Sequence, residues 1–149
     1  MRLTLMTDYA LRLLMHVGRA PDRLCTITEV AEAHGISRAH LTKVTHQLGQ
    51  QGWIETLRGK GGGMRLARRA EDIRLGSVVR SIEPDLALVE CFSAGSRCVL
   101  TGRCRLSAAL DGALRDFMAH LDGVTLADLL GPEPAFRPLK APASRRAAA

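Results

Sequence analysis

The sequence predicts a mainly α-helical protein with one small β-hairpin and a long helix towards its C-terminal end. Apolar residues recur at helical spacing in several segments that are separated by glycine or proline. Two short runs typical of β-strands flank a cluster of glycines. With 149 residues, 46% of them hydrophobic, the chain can bury one core and carry an appended arm.

The first predicted helix covers residues 6–17, and Thr7 is placed to cap its start. Asp8 and Arg12 lie on the opposite face from the apolar stripe, one turn apart, and are close enough to interact. Cys25 stands alone between this helix and the next. We expect Cys25 to be a small buried side chain rather than a metal ligand.

Two further helices follow in quick succession. A capping-box pattern at residues 26–29 predicts a helix that stops at Gly35. Ser37 caps a longer helix that ends at Gly52. Two helices joined by a short turn containing glycine form a helix-turn-helix unit, whose second helix can lie in the major groove of DNA.

A hairpin follows, with strands predicted at residues 53–57 and 64–66 around a basic, glycine-rich tip. A hairpin in this position is a wing. The tip is not a Walker phosphate loop, because it lacks both the spacing and a lysine followed by Ser or Thr. With a short helix that closes before Pro84, residues 1–82 are predicted to be a winged helix-turn-helix DNA-binding domain.

The distribution of charge agrees with a double-stranded DNA partner. Residues 1–80 carry 13 Lys and Arg against 7 Asp and Glu, whereas residues 81–149 carry 8 against 8. Positive charge concentrated in one half favours a polyanion there. The residues predicted to contact DNA lie on the third helix and the wing: Ser37, Arg38, His40, Lys43, Gln47, Arg58, Lys60, Gly61 and Arg65.

The second half is predicted to contain a loop at residues 83–104, a dimerisation helix with a short terminal helix at residues 105–130, and a disordered tail at residues 131–149. The long helix carries an apolar seam close to a heptad repeat. The seam predicts a homodimer, and packing on the chain's own domain is the alternative. Its members are Leu106, Leu110, Ala113, Phe117 and Leu121.

Cys91, Cys98 and Cys104 place three thiols in one loop. This pattern suits a metallic cofactor better than a disulfide, and neither interval is short enough for the knuckle of a structural zinc site. Iron–sulfur clusters accept cysteine ligands at varied spacings, but a four-iron cluster requires four ligands, so the loop is one short. A thiol redox switch or a zinc-structured regulator without a cluster is the alternative.

Several other classes of protein are disfavoured. The N-terminal segment has an acidic residue inside its apolar run and no small-residue cleavage site, so it is not a signal peptide. No apolar stretch reaches the length of a membrane span, and we expect a cytoplasmic protein with no membrane partner. No convincing nucleophile–base arrangement indicates an enzyme, and five aromatic residues are few for binding single strands by stacking.

Four motifs, in this order, carry a resemblance to a known family. They are LTLMTDYALR at residues 3–12, ISRAHLTKV at residues 36–44, RGKGGGMRL at residues 58–66, and the loop with three cysteines. Together they resemble the NsrR family, the nitric-oxide-sensing repressors within the Rrf group of winged-helix regulators. The resemblance extends from residue 1 to about residue 130.

The resemblance implies a homodimeric repressor whose 4Fe-4S cluster, or a 2Fe-2S form of it, reacts with nitric oxide and thereby releases operator DNA. It implies Cys91, Cys98 and Cys104 as thiolate ligands and Asp8, from the opposite subunit, as the fourth ligand. The related cluster-homeostasis regulators of the IscR type are the alternative. That group has a histidine three residues after the third cysteine, where this chain has Ser107.

Overall fold

A computed structural model describes residues 2–93, 95–100 and 103–131 of the chain. The predicted fold, mainly helical with one small hairpin, is confirmed. Residues 132–149, nearly all of the tail predicted to be disordered, lie outside the described residues. Two short 3-10 turns are also present, at Ala70–Asp72 and Glu90–Phe92. The main elements in chain order are α1 (Leu5–Gly18), α2 (Ile27–His34), α3 (Arg38–Gln50), β1 (Ile54–Leu57), β2 (Gly63–Leu66), α4 (Leu75–Ile82), α5 (Arg105–Gly123) and α6 (Leu126–Leu129).

Helix α1 begins earlier than the sequence predicts, and Thr4 caps it. The Thr4 hydroxyl accepts a hydrogen bond from the Thr7 backbone N–H at 3.3 Å. The prediction that Thr7 is the cap is wrong, because Thr7 lies inside the first turn and its side chain is fully buried. The cap is itself held in place, since the Thr4 N–H donates to the Glu83 carboxylate at 2.7 Å.

The inner face of α1 is the centre of the hydrophobic core. Ala10, Leu13 and Leu14 are each 0% exposed. Helices α2, α3, α4 and α6 and strand β2 all contact this helix. These four helices and strand β2 are therefore positioned relative to α1.

The helix-turn-helix forms as predicted. Thr26 caps α2 by accepting a hydrogen bond from the Glu29 N–H at 3.2 Å, and Gly35 ends the helix in the left-handed conformation with a φ of 64°. Ser37 caps α3. The predicted apolar stripe of α3 is buried against the other helices: Leu41, Val44 and Leu48.

The wing is a two-stranded antiparallel hairpin in which Ile54 lies opposite Leu66. Its turn requires two glycines, because Gly59 and Gly61 have φ values of 98° and 79°, which other residues rarely adopt.

The hairpin is attached to the domain through Cys25 and Met64, which exchange two backbone hydrogen bonds of 2.9 and 2.8 Å. The Cys25 side chain is 0% exposed, as expected from the sequence.

Helix α5 is attached to the domain mainly at its C-terminal end. Arg80 of α4 forms two hydrogen bonds with Asp122 of α5, at 2.6 and 2.7 Å, which hold the pKa of the Asp122 carboxyl below its ordinary value. Just beyond α5, the N–H of Leu126, the first residue of α6, donates to the Ile73 carbonyl oxygen at 2.8 Å. Met118 is the only buried residue of α5. In the part of the chain that is described, no helix combines the length and apolarity that crossing a membrane requires.

Substituting Gly63 tests the attachment of the wing. A Cβ at this position would lie 2.7 Å from the Cys25 carbonyl oxygen and 2.9 Å from the Leu24 Cβ. We expect Gly63→Ala to lower the free energy of unfolding by about 1–3 kcal/mol, the cost of overpacking. Gly49→Ala is the matched control, because open space surrounds its Cβ position on α3, and it should raise stability by up to about 1 kcal/mol. Urea unfolding measures both, and a Gly63→Ala protein as stable as the parent would contradict this packing.

Candidate nucleic-acid interface and cluster site

The start of helix α3 presents polar side chains on the protein surface. Arg38, His40 and Lys43 are exposed, as direct contact with DNA requires. The Ser37 hydroxyl and His40 Nδ1 are hydrogen bonded at 2.9 Å, which fixes the histidine ring beside the cap. The Tyr9 ring of α1 lies 5.9 Å from the His40 ring, so α1 also contacts the recognition helix at this end.

Gln47 is placed differently from the other predicted DNA contacts. It is half-buried, and its Nε2 donates to the Ile82 carbonyl oxygen at 3.5 Å. Its side chain therefore lies towards the end of α4, apart from the exposed group at the start of α3.

The wing carries positive charge at its tip and a compensated charge on its strands. Arg58, Lys60 and Gly61 are exposed at the tip. Arg65 on β2 donates to the Glu55 carboxylate on β1 through Nε and Nη2, at 3.0 and 2.9 Å. Because Glu55 offsets the charge of Arg65, the tip is the stronger site for a phosphate.

The three cysteines of the loop are half-buried, and none forms a disulfide. Cys91 lies in the 3-10 turn Glu90–Phe92, and Cys104 immediately precedes α5. The Cys98 N–H donates to the Ser96 hydroxyl at 3.2 Å. The Glu90 carboxylate accepts a hydrogen bond of 3.3 Å from the backbone of residue 97, so it joins the segments that carry Cys91 and Cys98.

The donor chemistry of this loop fits an iron–sulfur cluster, because three half-buried, free thiols on one segment are the ligand type that such clusters use. A cavity of about 450 Å³ lies beside Cys104. In the part of the chain that the structure describes, the loop thiols and the Asp8 carboxylate do not form a group close enough to share one metal ion. Among the described residues, the group whose donor atoms lie close enough for a single metal ion is a different one: His16, Cys25 and Glu29.

Asp8 lies on the outer face of α1, with 40% of its side chain exposed. Its carboxylate accepts a hydrogen bond from Arg12 Nε at 3.0 Å, so the predicted interaction between these two residues is confirmed. Glu83, which binds the Thr4 cap at the start of the same helix, opens the segment that leads to the cysteines. The first turn of α1 therefore connects Asp8 with the segment that leads to the cysteine loop.

The group formed by His16, Cys25 and Glu29 is not apparent from the sequence. These residues belong to α1, to the segment after it and to α2, so only tertiary packing brings them together. Burial raises the pKa of the Cys25 thiol. Hydrogen bonding from Arg23 lowers the pKa of Glu29 to about 2.

Comparison with known proteins shows the family of the chain. Residues 3–132 match the Rrf2 family, described as iron-dependent transcriptional regulators. The HTH-type transcriptional regulator NsrR of Geobacillus kaustophilus is 49% identical over 141 residues, which cover 93% of this chain and 96% of that protein. NsrR of Bacillus subtilis is 46% identical over 132 residues, covering 87% and 90%.

Solved structures share the fold at lower sequence identity. IscR of T. potens has a TM-score of 0.71 at 21% identity, covering 87% of this chain and 86% of that one. CymR of B. subtilis, described as a global cysteine regulator, has a TM-score of 0.72 at 20% identity, covering 87% and 96%. With the exposed start of α3, the basic wing and relatives that match almost end to end, the chain belongs to the Rrf2 family of winged-helix, DNA-binding transcriptional regulators.

Proposed function

We propose that the protein is a homodimeric repressor that binds operator DNA and releases it when nitric oxide reaches an iron–sulfur cluster. Cys91, Cys98 and Cys104 of one protomer and Asp8 of the partner subunit would hold this cluster, in its four-iron form. One observation carries the proposal: a chain nearly half identical to proteins named NsrR also has three half-buried thiols on one loop. Iron in such a cluster supplies the atom to which nitric oxide attaches.

Exposed apolar side chains support the homodimer. Among the described residues, five large apolar side chains are exposed, and four of them lie within three residues of a proposed ligand in the sequence. Leu5 is close to Asp8, Val99 and Leu100 follow Cys98, and Leu106 follows Cys104; Val99 is 97% exposed. Water is a poor environment for such side chains, so a second protomer that covers them would be stabilised by their burial.

The seam of α5 supports the same arrangement. Leu106 and Ala113 are exposed, whereas Leu110, Phe117 and Leu121 are half-buried. The chain's own domain therefore covers the seam only in part, and least near the N-terminal end of the helix. A second copy of α5 fits the uncovered part, because heptad-like seams pair with their own kind.

The coupling between the cluster and DNA follows from the position of Asp8. A carboxylate is a harder donor than a thiolate and binds iron less strongly, so Asp8 would be the most weakly held of the four ligands. Arg12 is in place to take up the released carboxylate, at 3.0 Å. Helix α1 packs against α3 and β2. A change in the relative position of the two α1 helices of the dimer would therefore change the spacing of the two winged helix-turn-helix domains on DNA.

Substitutions in α3 and in the wing separate base reading from phosphate binding. We expect Lys60→Ala to weaken binding to all duplexes by a similar factor and to reduce the salt dependence, because the wing tip contacts phosphate. Arg38→Ala should also relax the preference at particular base pairs, at a cost of about 1–3 kcal/mol for the matched site. Competition assays with point variants of a palindromic operator measure this, with exposed Arg115→Ala on α5 as the control. An equal loss on every variant for Arg38→Ala would make it a phosphate contact.

Substitutions of the proposed ligands test the cluster. Asp8→Ala should still assemble a coloured cluster, with an altered visible spectrum and weaker operator binding, whereas Cys98→Ala should lose the cluster. Arg12→Ala is the matched control, because it breaks the same ion pair and leaves the carboxylate in place. Anaerobic spectra, iron and sulfide contents and operator binding are measured on the same samples.

An Asp8→Ala protein with the parental spectrum and parental affinity would contradict the assignment of Asp8. A Cys98→Ala protein that keeps the parental iron and sulfide contents would contradict the assignment of the loop.

A further inference from the structure

Three metal-binding side chains from three segments meet at the junction of α1, α2 and the wing. They are His16 on α1, Cys25 on the segment after it and Glu29 in the first turn of α2. The imidazole nitrogen, the thiol sulfur and a carboxylate oxygen all lie within 4.8 Å of one another. The nitrogen and the oxygen are 3.2 Å apart.

These distances are close to those of a metal centre. Tetrahedral bonds of zinc to sulfur, nitrogen and oxygen separate the donor atoms by about 3.4–3.6 Å. The widest pair must therefore approach by roughly 1 Å, which side-chain rotation can supply. A nitrogen, a thiolate and a carboxylate are the ligands that zinc-class divalent ions take in proteins, and a set of three leaves a fourth position for water.

The surroundings hold two of the three ligands in position. The backbone of Cys25 is fixed in both directions by its hydrogen bonds to Met64. The His34 ring meets the His16 ring edge-on, with ring centres 5.4 Å apart, which limits rotation of the ligand imidazole. Contacts of this kind, outside the ligand set, orient metal ligands and increase affinity.

The ligand set would become doubly negative on metal binding, because Glu29 is a carboxylate and Cys25 would bind as a thiolate. Arg23 competes for the same carboxylate, since its Nη1 donates to Glu29 Oε2 at 3.0 Å and its Nη2 binds Oε1. Arg23 is 56% exposed, so it can move into solvent when a metal ion takes its place.

We propose that His16, Cys25 and Glu29 form a binding site for one zinc-class divalent metal ion, separate from the cysteine loop. The thiol releases its proton to solvent when the metal–sulfur bond forms, and water completes the tetrahedron. The ion links α1 to α2, and through Cys25 to β2, so it stabilises the DNA-binding domain by mass action.

The test uses the full-length, untagged chain in which Cys91, Cys98 and Cys104 are replaced by serine. Cys25 is then the only thiol, because the chain has four cysteines. Titration with Co²⁺ should give one ion per chain, with the visible bands of tetrahedral cobalt and a near-ultraviolet thiolate-to-cobalt band, both removed by Zn²⁺. Failure to bind Co²⁺ or Zn²⁺, or binding without the thiolate band, would overturn the proposal.

Single substitutions in the same background assign the ligands. Cys25→Ser should abolish the thiolate band. Because Cys25 is fully buried and its replacement could unfold the chain, His16, whose side chain is 18% exposed, gives a second variant, and His16→Gln should weaken Co²⁺ binding at least about tenfold. His120→Gln on the exposed face of α5 is the control and should bind as the parent does. Affinity unchanged by His16→Gln would overturn the site.

Arg23→Gln distinguishes a metal site from purely structural contacts among His16, Cys25 and Glu29. It frees the Glu29 carboxylate, and we expect Co²⁺ to bind about two- to fivefold more tightly, the worth of a partly exposed ion pair. The melting temperature in the presence of Zn²⁺ should rise by more than in the parent. An affinity equal to the parent's would remove Glu29 from the ligand set and overturn the three-ligand site.

Discussion

Burial of one face of helix α1 is the interaction on which the rest of the structure depends. Two leucines on this face, Leu13 and Leu14, are fully buried, and burial of each such side chain contributes roughly 1.5–3 kcal/mol. The recognition helix and the wing both pack against this helix. Protein interiors are close-packed, so a displacement of α1 cannot be absorbed locally and must change the positions of these neighbours. The opposite face of α1 carries Asp8, so under the proposed function a change in its ligation would be transmitted to both DNA-contacting elements.

Helix α5 packs against the rest of the protein less extensively than α1 does, since Met118 is its one buried residue. Its C-terminal end is held by the Arg80–Asp122 pair, while Leu106 at the other end is 65% exposed. This exposed end follows directly from Cys104, the last cysteine of the loop. The surface that a second protomer would cover and the segment that would hold the cluster are thus adjacent in the chain. Dimer contact and cluster chemistry are joined in the proposed function for this reason.

The sequence predicts local features well, because they depend on neighbouring residues. The cap at Ser37 and the left-handed turn at Gly35 follow from residue chemistry within one turn of helix. The predicted cap of α1 at Thr7 is wrong because the capping residue is decided by where the helix begins: the Thr4 hydroxyl accepts the Thr7 N–H, and Thr7 itself is buried in the core. Interactions between distant segments could not be predicted: the hydrogen bond of Gln47 to α4 and the approach of His16 to Cys25 both require the folded core.

The proposed coupling between the iron–sulfur cluster and the two winged helix-turn-helix domains has a direct test. Nitric oxide is added to the cluster-loaded protein bound to operator DNA. The titration is anaerobic, and cluster absorbance and operator occupancy are followed in the same sample. The account predicts that occupancy falls in step with the loss of the cluster spectrum, and that the Cys98→Ala protein shows no response to nitric oxide. Full operator occupancy after the cluster spectrum has been lost completely would contradict it.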